Sequence, residues 1–515
     1  MGWLTSAKVD HPLADADASR RVIKELPMDE QKAMDEILFW LDSVNATDAF
    51  KLDRRFEVLD EVYQATRSRV RKFGEKYMRL RRQKFQENRI WASQTEYWRL
   101  TAAAYMRCVE GFQAEEAGAN RIKASLPVIV NRGLHAIGQQ LRWSLLRYSP
   151  VDMVHWADLG RLYAFAEGSG IETKVVPLHK GAATGSSARN EALKTLMLAI
   201  ASTDSMQPEQ IEIAERSVAF LVQHYLIEHQ ALPACTHVYD LAMSEPPRRV
   251  QRAELPSGSS LRFFGAGSAC DEIGQLLGTL SSGGGLPARL NVGESHGPKE
   301  VAEVWRHLLR YWSSKPPERR SARRATDIPL RVVQGLRGLS GLFMKASEDS
   351  LDFTQAAGRQ VETWIADNAS AGGYGATVPM HESDWVHVGA LIGLRAKGDK
   401  RWSAGIVRRL SRTDEKHRHL GIEILASVVI PVTLMPFGTI AAADADRDYD
   451  FGILTTPRPD AERAIQLLIT GGTFVPGRAL RMVVKDQAFQ IAPKNLLQST
   501  DEFDLVRFEV VRRIQ

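Results

Sequence analysis

Two stretches decide how the chain is read. They are ERRSARRATDIPLRVV at residues 318–333 and, after an interval, TWIADNASAGGYG at residues 363–375. The first places Arg319, Arg320, Arg323 and Arg324 within six positions, directly after Pro316–Pro317. Paired prolines exclude helix, so the arginines sit on extended chain as it enters a predicted strand, IPLRVV. In the second stretch a predicted strand, TWIA, runs into a turn carrying Asn368, Ser370 and Gly373. Small residues at such a strand end let a ligand approach the backbone closely.

The side chains fit a dianionic dinucleotide. Guanidinium planes stack on purines, and their forks bind phosphates and the guanine O6/N7 edge bidentately. Asn and Ser add short hydrogen-bonding groups, and Gly372–Gly373 leave room for a base. Taken without that ligand, the same residues read as an arginine-rich linker beside an ordinary strand turn.

Beyond Pro317 the pattern is of short period-two runs with turn residues between them. IPLRVVQGL, ETWIADNAS, WVHVGALIGLRA, RWSAGIVRRL and HLGIEIL fit strands of a small barrel or sandwich. The texture continues after Arg447 in DYDFGILTT, AIQLLITGG, ALRMVVKDQAFQIAP and FDLVRFEVVRRI. Toward the start, apolar residues recur at three- and four-residue spacing, as in Ile37, Leu38 and Leu41, and predict a multi-helix bundle to about residue 170. Lys180–Ser187 reads as a loop, and helices follow through PEQIEIAERSVAFLVQHYLIEH. Short strands or extended chain are expected over Cys235–Phe264, then helices over Ala269–Leu280 and PKEVAEVWRHLLRYW. A chain that is helical first and β-rich last has segregated domains, not a βαβ sheet.

A length of 515 residues exceeds one hydrophobic core. With 67 Lys and Arg against 62 Asp and Glu, the net charge of +5 does not by itself require a nucleic-acid partner. Three cysteines, Cys108, Cys235 and Cys270, with no CxxC pair, argue against a disulfide framework or zinc ribbon and for a reducing cytoplasm. The start reads Met-Gly-x-x-x-Ser, a lipidation pattern frequent by chance, and has no signal-peptide pattern. The uncharged run Ile424–Ala443 contains Pro431, Pro436 and Gly438, so it reads as two short strands broken at the prolines and not as a membrane span.

The screen for catalysis finds no enzyme. His224 and His229 are five apart and miss the spacing that puts two metal ligands on one helix face; they read as ordinary helix histidines. His417 and His419 lie in a solvated turn. GAGSACDEIG, from Gly265, lacks the third glycine of a nucleotide fingerprint and its βαβ context. Neither GxxxxGK[ST] nor GxSxG occurs. The carboxylates of DADRDYD lack the spacing of a calcium loop. Arg67–Arg89 is strongly basic, but its Phe73, Tyr77, Met78 and Phe85 sit at helical spacing, so the run reads first as a bundle helix with those residues buried and a charged outer side. A nucleic-acid or acidic-protein surface is the second reading.

In its arginines and its turn the chain resembles the PilZ family, bacterial receptors for cyclic di-GMP. That family has an RxxxR motif just before a six-stranded β-barrel and a [D/N]xSxxG motif on the barrel. Arg320-Ser321-Ala322-Arg323-Arg324 offers the first, with Arg320 and Arg324 as the preferred pair and Arg319 and Arg323 the same spacing shifted by one. Asn368, Ser370 and Gly373 supply the second. The resemblance implies that the arginines bind phosphates and guanines, often of an intercalated ligand dimer, and that the Asn/Ser turn contacts a guanine. Arg401–Val407 and His419–Ile424 also look like strands of that barrel, so the resemblance covers about 315–435.

Two departures stand out. Forty-four positions separate Arg324 from Asn368, longer than is usual for the family, with Ser340–Arg359 as an insertion or embedded helix. The flanking regions resemble no family. The expected architecture is therefore multidomain α+β: a helical domain over 1–175, a mixed, mainly helical domain over 188–312, a PilZ-like barrel over 313–436 and a β-rich domain over 437–515. A second, degenerate barrel without either motif is one reading of the last. The expected function is a cytoplasmic, non-catalytic cyclic di-GMP receptor without cofactor or metal. Ligand binding would alter contacts between domains or with an unidentified downstream protein. The alternative is a scaffold or nucleic-acid-associated protein whose barrel has lost its ligand.

Overall fold

Residues 11–14, 16–80, 84–251, 255–293, 296–317, 322–343, 361–380, 383–414, 416–437, 450–456, 459–460, 462–485 and 487–514 are described by the computed structural model, and structural statements below concern these. The Met-Gly start, Arg319, Arg320, most of the insertion after Ser340 and most of DADRDYD lie outside them. The chain divides into two compact units, 1–317 and 318–515.

In the first unit the three- and four-residue spacing forms helices α1 (Ala16–Lys24), α2 (Glu30–Ala46), α3 (Leu52–Arg79), α4 (Lys84–Gln113), α5 (Ala119–Ile122), α6 (Leu126–Leu145) and α7 (Met153–Gly168). The Asp29 carboxylate caps α2 by accepting from the Lys32 N–H, which satisfies one of the free donors of the first turn. Val58, Leu59, Val62, Tyr63, Val70, Phe73 and Tyr77 line the buried side of α3. Phe73 and Tyr77 of the basic run are thus core residues, whereas Phe85 is exposed. Among the described residues the run's charges lie outward, with Lys76 paired to Glu30 and Arg71 to Glu75.

Helix α6 packs against α4, α7 and against α8 (Ala188–Ala199). It buries Arg132 at 3% exposure. The guanidinium is fully engaged: it donates to the Leu178 carbonyl at 2.7 Å, meets Asp60 at 2.8 Å and lies 4.6 Å above the Tyr63 ring. A buried charge persists only with partners of this kind. Nearby, Glu191 of α8 is buried against His135 at 3.2 Å and Lys194 at 2.5 Å. Burial opposes its ionised form, but Lys194 and His135 outweigh it and draw the carboxyl down to about 2. A carboxyl depressed in the folded state stabilises above its unfolded pKa, and that contribution fades as pH falls toward 2. It is worth on the order of 3 kcal/mol at neutral pH. Glu191→Gln therefore lowers the neutral-pH stability of the helical unit by about 2–3 kcal/mol and flattens the loss of stability between about pH 4.5 and 2. Urea unfolding at stepped pH measures both.

Helix α9 (Pro208–Phe220) is followed by a four-stranded sheet of β1 (Leu226–Glu228), β2 (His237–Asp240), β3 (Arg248–Arg249) and β4 (Leu261–Gly265), in the order β1-β4-β2-β3. The expected helix through HYLIEH is corrected here. Pairing of Leu226–Glu228 with Phe263–Gly265 overrides the local period. His224 closes a 3₁₀ turn and reaches the Ser268 hydroxyl at 2.9 Å, and His229 follows β1, so neither stands on an α-helix. Helices α10 (Ala269–Ser281) and α11 (Pro298–Trp312) complete the unit, with the Trp305 indole donating to Ser217 at 3.0 Å.

The second unit holds two closed barrels. The first has β5 (Arg324–Gln334), helix α12 (Gly335–Phe343), β6 (Glu362–Ser370), β7 (Gly373–Pro379), β8 (Leu391–Ala396), β9 (Ser403–Arg412) and β10 (His417–Ala426). Its strands close in the order β10-β7-β6-β5-β8-β9. Leu330, Val332, Trp364, Ala366, Ala376, Val378 and Leu420 alternate into its interior. The second has β11 (Ile430–Pro436), β12 (Asp450–Leu454), β13 (Ala464–Thr470), β14 (Leu480–Val484), β15 (Gln487–Ser499) and β16 (Phe503–Ile514), closing as β11-β12-β13-β16-β15-β14. One apolar cluster joins them, with Leu336 and Leu339 of α12 beside Trp402, Ile453, Leu468 and Phe503. Glu502 adds a polar clamp, accepting from the Leu391 N–H at 2.8 Å and meeting His387 at 3.1 Å.

The proline-rich apolar run divides at Ser427–Val429, not at its prolines as expected. Pro431 and Pro436 lie within β11. Pro431 pairs with Ile453 on one side, whereas pairing to β14 begins only at Thr433, so its missing N–H leaves no ladder bond unmade. No helix among the described residues is long and apolar enough to cross a membrane.

Candidate functional site

The turn motif becomes a hairpin. Ser370 of β6 pairs with Gly373 of β7, leaving Ala371–Gly372 as a two-residue turn. Strand β5 begins beside it: Arg324 is the Cα partner of Ala369, and Ala325 of Asn368. The forty-five positions from Arg324 to Ala369 thus collapse to one strand spacing, about 4.8 Å. Both described arginines of the run, Arg323 and Arg324, are exposed there.

A bulge in β6 sets the polar side chains. Ala366 pairs with Ala376 and Asn368 with Gly375, so Asp367 is the extra residue. Bulging puts two consecutive side chains on one face. Asp367 accepts from Thr377 at 3.0 Å and meets His419 at 3.2 Å, while the Asn368 amide lies over Gly375, two residues from Thr377 on the same face. A Cβ on Gly375 would stand 2.3 Å from Asn368 Nδ2. The Asn368 amide donates to Asp367 at 2.5 Å, and its Oδ1 is buried without a hydrogen-bond partner. A buried acceptor left unpaired is costly.

Gly373 answers a different demand. A Cβ there would meet the Ile422 carbonyl oxygen of β10 at 1.9 Å, so the close approach is backbone to backbone. The Ser370 hydroxyl reaches the Gly373 carbonyl at 3.4 Å, a long contact that leaves it capable of a better one. Asp367 and His419 escape the sequence reading as parts of this site. The alternation in HLGIEIL places His419 on the same face as Gly421, but their neighbours on β7 and β9 become visible only with the register. Among the described residues no group of three or more His, Cys, Asp and Glu could hold a metal ion.

Against known families, residues 17–231 match the N-terminal domain of the cyclic-di-GMP receptor FimW, and residues 345–431 match the middle PilZ domain of that receptor. The chain belongs to the PilZ-domain family. No curated protein and no solved structure matches it. The match to the PilZ domain takes in β6 through β10, with Asn368, Ser370 and Gly373, and begins after the arginine run, β5 and α12. The strand that brings Arg324 to the hairpin therefore precedes the matched PilZ segment, although it is needed to close the PilZ barrel. The helical region, which resembles no family in the sequence reading, is assigned by the FimW N-terminal match over most of its length.

Proposed function

We propose that the chain is a cytoplasmic, non-catalytic receptor for cyclic di-GMP that binds it at Arg319, Arg320, Arg323, Arg324, Asn368, Ser370 and Gly373. The observation that carries this reading is the β5–β6 register, which makes Arg324 the cross-strand neighbour of the Asn-x-Ser turn. The description of the matching family as a cyclic-di-GMP receptor supports the ligand. Guanidinium forks hold the phosphates and stack on guanine, and the Asn368 Oδ1 takes a donor from the guanine Watson–Crick edge. Neither a cofactor nor a metal takes part.

The arginine run directly follows the boundary between the units at Pro317. Ligand capture there bears on their connection, and the output is an altered contact between domains or with a downstream protein, in control of motility, biofilm formation or virulence. Burial of Phe73 and Tyr77 supports the bundle-helix reading of the basic run over the nucleic-acid alternative, which keeps only the exposed Phe85 among the aromatics. Isothermal titration of the full chain with cyclic di-GMP tests the reading: saturable binding is expected, and its absence overturns it.

A further inference from the structure

Across four neighbouring strands of the first barrel runs one row: Asn368 on β6, Gly375 on β7, Gly421 on β10 and Arg409 on β9. Each is the Cα partner of the next. Directly opposite residues of antiparallel strands present their side chains on the same face. Ala376, Leu420 and Ile422 occupy the alternate positions and are buried in the barrel, so the row faces outward. Its two middle members have no side chain. The row therefore holds an amide and a guanidinium separated by two buried glycines, their Cα atoms three strand spacings or about 14 Å apart.

The two ends differ in chemistry. Asn368 brings an acceptor oxygen that is buried and lacks a partner. Arg409 is exposed and brings a forked donor. Guanine presents the complement of both: N1–H and N2–H donors on one side, and O6 and N7 acceptors around the ring. Adenine offers a donor at N6 where guanine has O6, so a fork aimed at O6/N7 loses one of its two bonds. Cβ atoms at the centre would disturb this arrangement. One on Gly375 collides with the Asn368 amide at 2.3 Å, and one on Gly421 comes within 3.2 Å of Arg409 Cβ.

Resting on the cyclic di-GMP reading above, we infer that Arg409 is a specificity-determining residue that reads the O6/N7 edge of a guanine held by Asn368. It lies outside both motifs, on a strand whose place beside the site is set by the β9–β10 register alone.

The test titrates cyclic di-GMP and cyclic di-AMP into the full chain and into its Arg409→Ala and Arg409→Lys variants. Melting curves monitor the fold. Arg409→Ala is expected to weaken cyclic di-GMP binding by about 5- to 100-fold, while cyclic di-AMP affinity shifts by less than about twofold. Arg409→Lys keeps the charge but not the fork and recovers less than half of that loss on a logarithmic scale. Unchanged cyclic di-GMP affinity in Arg409→Ala overturns the inference, as does an equal loss for both dinucleotides, which marks a phosphate contact. Failure of the unaltered chain to bind cyclic di-GMP overturns the receptor reading itself and is seen before any variant is made.

Discussion

Arg320→Ala and Ser370→Ala are each expected to bind cyclic di-GMP at least about 100-fold more weakly than the unaltered chain, a loss of about 2.7 kcal/mol. Hydrogen bonds to charged groups contribute about 1.5–3 kcal/mol, and a truncated arginine also leaves a phosphate or guanine without its bidentate partner. Among the described residues the Ser370 hydroxyl makes only the 3.4 Å contact to Gly373, so a melting temperature within about 2 °C of the parent is expected for Ser370→Ala. Arg324→Ala tests the same site from the β5 side, where the arginine is exposed opposite Ala369. If the unaltered chain binds and all three variants bind equally well, the ligand sits elsewhere. A salt series adds a check, because losing a phosphate contact reduces the dependence of affinity on ionic strength.

The barrel and its hairpin turn are legible in the sequence because both signals are local. Strands announce themselves by period-two runs, and Asn368, Ser370 and Gly373 lie within one hairpin. What the sequence conceals is non-local. The bulge that turns Asp367 and Asn368 onto one face depends on which residues of β7 oppose them, and β7 is read only as part of a turn. The row from Asn368 to Arg409 needs three registers at once. Leu226–Glu228 reads as helix because the run before it is helical, and only its partner β4 converts it to strand. Pro431 misleads for a similar reason: a proline breaks a strand only where its N–H is needed, and at Pro431 no second neighbour asks for it. The apolar cluster joining the barrels is invisible to local pattern as well. Its members come from α12 and from strands of both barrels, up to 170 positions apart from Val333 to Phe503.

The adjacent glycines of the motif separate fold from ligand access. Gly373→Ala is expected to destabilise the barrel unit by about 3 kcal/mol, lowering its melting transition by about 6–12 °C. The added carbon would stand 1.9 Å from the Ile422 carbonyl oxygen, far inside contact distance. The obstructing atom is backbone, held in the β7–β10 ladder by the pairing of Gly373 with Glu423 and Tyr374 with Ile422. No rotamer change can move it, so either the strands part or the bulge at Leu425 in β10 shifts. Gly372→Ala is the control. Its Cβ meets nothing within 4 Å, and its φ lies outside the left-handed range, so its stability is expected to stay within about 0.5 kcal/mol of the parent. Hydrogen exchange over His417–Ala426 localises the effect, with faster exchange in Gly373→Ala and parental rates in Gly372→Ala. Equal melting temperatures for the two variants would remove the backbone-contact account of Gly373. The position would then have to be explained by ligand approach alone.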